Sequence, residues 1–104
     1  MSNKIQTDFV GGGMSLFIPY AHGNTNEAKV RKVFDYLGKI RLVKFLNDVN
    51  KTTGKEYKMV YVYFEKWNET KKTRKFQMNV QADGGHKVKY NNGIGYWCVL
   101  PNKH

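Results

Sequence analysis

The chain has 104 residues, 40 % hydrophobic and 25 % charged, with eighteen Lys and Arg against eight Asp and Glu for a formal net charge of +10. That length supports one domain with one core, and such a charge excess in so small a body favours a polyanionic partner: RNA, DNA or an anionic membrane surface. The single cysteine excludes an internal disulfide framework and a multi-cysteine metal site.

No stretch is long and apolar enough to span a bilayer, and the N-terminus lacks the apolar core of a signal peptide. The reading is a soluble, non-secreted protein of the cytoplasm or nucleus, in its own cell or in one infected by its source, with no membrane partner.

Residues 1–13, MSNKIQTDFVGGG, read as a tail with a flexible triple glycine. Met14 to Tyr20 is the first strand, with Met14, Leu16 and Ile18 on one face and Ser15, Phe17 and Pro19 on the other. Pro19 has no amide donor, so it marks the strand end or a position without a ladder bond. Asn24 to Leu37 reads as a helix, with Asn24 and Glu27 in the capping-box arrangement. Val30, Val33, Phe34 and Leu37 form its apolar stripe, and Gly38 ends it as a left-handed residue. Ile40 to Leu46 is the second strand, followed by the polar loop Asn47 to Glu56.

Tyr57 to Phe64, YKMVYVYF, is almost pure strand former and organises the rest. Val60, Val62 and Phe64 point one way and belong against a helix. Tyr57, Met59, Tyr61 and Tyr63 point the other way, which predicts contact with single-stranded nucleic acid. Beyond Trp67, with Asn68 as a cap, residues 69–81 fit two periods. Thr73, Phe76 and Val80 fit a helix; Phe76, Met78, Val80 and Ala82 fit an alternating strand. Helix is preferred, and tertiary context decides. Gly84-Gly85 breaks the chain, and Lys87 to Tyr90 and Gly95 to Leu100 read as two strands across NNGIG. In the last strand Tyr96, Cys98 and Leu100 are assigned to the core, with Cys98 a small buried hydrophobe, and Trp97 to the other face.

This order predicts an α+β, ferredoxin-like β-α-β-β-α-β sandwich: a four-stranded antiparallel sheet with two helices on one face and the other face open. Leu16 to Ala21, LFIPYA, and Tyr57 to Phe64 resemble the six- and eight-residue signatures of the RNA-recognition-motif family. Phe34, Gly38, Ile40 and Val43 fall on that family's helix-to-strand passage. The resemblance covers residues 14–102 and extends to divergent members encoded by large DNA viruses, through the Trp after the third strand and the C-terminal YW strand. It departs from the family where Tyr57 and Lys58 stand for a Lys or Arg followed by Gly, where Met59 stands for the first stacking aromatic of the long motif, and where the second helix lacks an alanine and leucine stripe.

The resemblance implies a non-enzymatic binder of single-stranded RNA, or of single-stranded DNA. Phe17, Met59, Tyr61 and Trp97 would form the stacking platform, and Lys44 and Lys89 would flank it toward phosphates. The alternative is a protein-interaction module, or a homodimer, using the same aromatic face. The run Lys71-Lys72-Thr73-Arg74-Lys75 reads first as a solvated face, and second as another backbone contact or a nuclear-import signal. His22, His86 and His104 are scattered, without a carboxylate pair, a nucleophile set or metal-ligand spacing. The expectation is no enzyme, no cofactor and no metal.

Overall fold

The computed structural model describes residues 14–90 and 95–102. The expected tail over 1–13 and the centre of the Asn- and Gly-rich turn at 91–94 lie outside the described residues. The elements run β1 (Ser15–His22), α1 (Glu27–Phe34) with a 3-10 turn over Asp35–Leu37, β2 (Gly38–Val49), β3 (Glu56–Trp67), α2 (Lys71–Gln81), β4 (His86–Lys89) and β5 (Tyr96–Pro101). The fold is α+β: an antiparallel sheet and two helices, compatible with a ferredoxin-like arrangement. Among the described residues the sheet has five strands in the order β2-β3-β1-β5-β4, not the four expected. The C-terminal strand pair is the cause: β5 joins the sheet beside β1 while β4 pairs with β5 as an extra edge.

The period-two reading of β1 and β3 is realised. Leu16 lies opposite Val62 and Ile18 opposite Val60, and all four are fully buried. Val30 and Phe34 of α1 and Phe76 and Val80 of α2 close over them in one core, so both helices cover the same sheet face. Phe34 meets Phe76 edge-on at 6.2 Å between ring centroids. Trp67 stacks on Phe64 at 3.9 Å and donates its indole N–H to the Met14 carbonyl at 3.0 Å. A buried indole thus gains both its apolar contact and its polar partner.

Several local expectations are corrected. The cap of α1 is Asn26, not Asn24: its side chain accepts from the Lys29 amide. The cap of α2 is Thr70, not Asn68, and it accepts from the Thr73 amide. Asn68 instead donates to the Tyr36 carbonyl, tying the end of β3 to the turn after α1. The ambiguous stretch is helix, because Thr73, Phe76 and Val80 reach the core while Met78 is 70 % exposed. Gly38 is not a left-handed helix stop but the extended first residue of β2. A glycine is needed there for closeness, since a Cβ would lie 2.3 Å from the Lys66 carbonyl oxygen. β2 is also longer at both ends than the expected Ile40 to Leu46.

Candidate nucleic-acid interface

The sheet face away from the helices is built by alternation. Opposite the buried valines, β3 presents Tyr57, Met59, Tyr61 and Tyr63, each half-buried. β1 adds Ser15 and Phe17, opposite Tyr63 and Tyr61, and β2 adds Leu42, Lys44, Leu46 and Asp48, opposite Tyr63, Tyr61, Met59 and Tyr57. At the centre the Phe17 and Tyr61 rings stack at 4.9 Å, 28° from parallel. Leu100 of β5 pairs with Phe17, and exposed Lys44 borders Tyr61 on the other side.

Five aromatic or thioether positions expected on this face are therefore together: Phe17, Tyr57, Met59, Tyr61 and Tyr63. Lys44 and Lys89 are exposed at its margins, Lys89 opposite Tyr96 on β4. Trp97 is not there. It is 1 % exposed on the helix side, stacked on Tyr90 at 4.5 Å and on Phe34 at 6.0 Å. The face assignment of the last strand is inverted, so Tyr96, Cys98 and Leu100 belong to the open side. Tyr96 is 56 % exposed, Cys98 is half-buried and not a core residue, and its thiol donates to the Gly84 carbonyl at 3.3 Å. Alternation gives the pairing of faces within β5 but not which set goes inward. The space between Phe34 and Tyr90 takes the larger ring, and that is a tertiary choice.

Two irregularities enlarge the face beyond what period two allows. The β1–β3 register shifts between Ile18 and Ala21, both buried. Pro19 cannot donate a ladder bond, and an extra residue fits such a position as a bulge. The bulge turns Tyr20 outward, where it stacks on Tyr57 at 4.9 Å and 22°. A second shift between Ile40 and Leu42 leaves Arg41 and Leu42 both exposed, and the Arg41 guanidinium lies 5.6 Å over the Tyr63 ring. Tyr20, Arg41, Tyr96 and Lys87 were missed from sequence. Pro19 inside a strand was the available signal for Tyr20. Nothing comparable marked Arg41.

At the hairpin end Tyr57 donates its hydroxyl to Asp48 Oδ2 at 3.3 Å. Desolvation raises the Tyr57 phenol above its ordinary value of 10.0, and the Asp48 charge, the hydrogen bond to it and Tyr20 push the same way. The ring beside Tyr20 is thus neutral through the physiological range. At the other border, Lys87 Nζ sits 5.2 Å over the Tyr96 ring. Lys58 does not take part: it reaches around the Phe45 ring on the helix side and donates to the Thr25 carbonyl at 2.8 Å. Among the described residues no group of His, Cys, Asp and Glu could hold a metal ion.

No protein-family model matches the chain, and no curated protein and no solved structure is significantly similar to it.

Proposed function

We propose that the chain is a non-enzymatic, intracellular binder of single-stranded nucleic acid, RNA foremost, that works as a divergent RNA-recognition-motif-like domain. In this reading β4 is an added edge, and the consecutive strands β2-β3-β1-β5 serve as the four-stranded platform. The observation that carries it is the stacked pair Phe17–Tyr61 at the middle of a sheet face that neither helix covers. Every base has a π-face, so an aromatic shelf accepts single strands without base pairing, at about 1–3 kcal/mol per stacked base. Lys44, Arg41, Lys87 and Lys89 surround the shelf and suit the phosphates between bases. Replacing Phe17 and Tyr61 together by Ala is expected to weaken binding of a labelled single-stranded RNA by at least about tenfold. Fluorescence anisotropy at about 50 mM salt reads this, and unchanged affinity in the double variant removes the proposal.

A second reading rests on a separate observation. Leu42 and Leu46 are 43 % and 41 % exposed on the same face. Large aliphatic side chains stack poorly on bases but suit a protein partner or a second copy. Sedimentation velocity separates the two readings: self-association abolished by Leu42→Ser with Leu46→Ser favours the interaction module.

A further inference from the structure

Building on the nucleic-acid reading of the sheet, we propose that the far end of the β2–β3 hairpin holds a second base site that selects guanine. Its elements are the Tyr20–Tyr57 stack, the Asp48 carboxylate and Lys51, around a surface hollow of ≈ 380 Å³ also lined by Pro19 and Asn50.

The position is separate from the Phe17–Tyr61 stack. Tyr57 lies four residues from Tyr61 along β3, roughly 13 Å at ~3.3 Å per residue. Neighbouring stacked bases are ~3.4 Å apart, so the two aromatic pairs serve different nucleotides. Tyr20 is 48 % exposed and offers an open ring face next to the hollow.

Asp48 supplies the selectivity. In a molecule of net charge +10, a carboxylate beside a polyanion site repels phosphate. Its place there makes sense as an acceptor toward base edges. Among the described residues no cation neutralises it, and its local bonds are few: Val49 N–H to Oδ1 at 2.7 Å and the Tyr57 hydroxyl to Oδ2 at 3.3 Å. An ionised carboxylate has about four acceptor sites, so each oxygen retains capacity. Guanine presents two adjacent donors on its Watson–Crick edge, N1–H and the N2 amino group, which match the two oxygens. Adenine and cytosine present one amino group, and uracil flanks its N3–H with carbonyl oxygens that a carboxylate repels. The Asn50 side-chain oxygen is already engaged by the Thr52 and Thr53 amides, which fixes the loop. Exposed Lys51 then stands where it can meet the phosphate beside the base.

The test measures anisotropy of oligo(U) strands carrying a single central G, A, C or U, for the full chain and for Asp48→Asn and Tyr57→Phe. The guanine strand is expected to bind tighter than the all-uridine strand by about tenfold, the scale of one bidentate base contact. Asp48→Asn should erase that ratio without weakening oligo(U) binding, since it removes a charge that repels phosphate. Tyr57→Phe, which keeps ring and carboxylate, should preserve it. Equal binding of all four strands, or a guanine preference that survives Asp48→Asn, overturns the guanine site and leaves the sheet reading standing. Failure of every strand to bind overturns the sheet reading itself.

Discussion

The inverted pair Tyr96 and Trp97 shows what a single side chain decides. Trp97 fills the space between Phe34 and Tyr90 and is buried with the core, whereas Tyr96 faces solvent. Trp97 is therefore expected to act on stability. Trp97→Ala should cost about 3–5 kcal/mol, the range for removing a large buried aromatic, read as a lower midpoint in urea denaturation. A midpoint within error of the parent chain would return Trp97 to the surface. Phe17 and Tyr61 are half-buried on the face away from the helices, so under the proposed function their loss is expected to weaken binding more than folding. Cys98 shows the same lesson at smaller size: an apolar run hid a half-buried thiol that bonds to a loop carbonyl.

Among the elements, the β2–β3 hairpin dominates. Each strand has twelve residues, and their ladder runs from Gly38 opposite Trp67 to Val49 opposite Glu56. Its base depends on Gly38. A Cβ there would meet the Lys66 carbonyl oxygen at 2.3 Å and the Trp67 Cα at 2.8 Å, both of them backbone that cannot rotate away. Gly38→Ala should force the strands apart beside the buried Trp67 and cost about 1–3 kcal/mol, as overpacking does. Thermal unfolding checks it, at about 4–8 °C per kcal/mol for a domain of this size; an unchanged Tm shows that the strands can yield. The bulges at Pro19–Tyr20 and Arg41 are the other devices of this scale, because each puts an extra side chain on the open face. α2 begins against its own dipole, with Lys71 and Lys72 in the first turn and no acid there. The Thr70 cap and the burial of Phe76 and Val80 hold it in place.

At the scale of the whole molecule, charge is unevenly useful. The basic run of α2 lies on the helix side, exposed, with Lys72 Nζ 5.8 Å over the Tyr36 ring. Lys44, Arg41, Lys87 and Lys89 border the aromatic face. Affinity for single-stranded RNA should fall with salt at a log–log slope of about −0.7 per phosphate neutralised. Lys44→Ala should make the slope shallower by about 0.7, and Lys72→Ala should leave it unchanged. Equal effects of the two substitutions in a salt titration would assign the charge to general attraction and not to this face. Among the described residues no helix is long and apolar enough to cross a membrane.

The sequence alone determined what local periodicity controls. The inward set Leu16, Ile18, Val60, Val62 and Phe64, the tyrosine row of β3, the apolar stripe of α1 and the break at Gly84-Gly85 follow from alternation, helical spacing and turn chemistry within a few residues. Tertiary structure decided what local pattern leaves degenerate. It made residues 71–81 a helix by burying Thr73 with Phe76 and Val80 while Met78 stays exposed, turned Trp97 inward where its ring packs between Phe34 and Tyr90, and made β4 a fifth strand by placing its partner β5 beside β1. Two bulges did the rest. A register shift moves side chains between faces without altering the order of residues, so Tyr20 and Arg41 reached the open face by a route that period two does not encode.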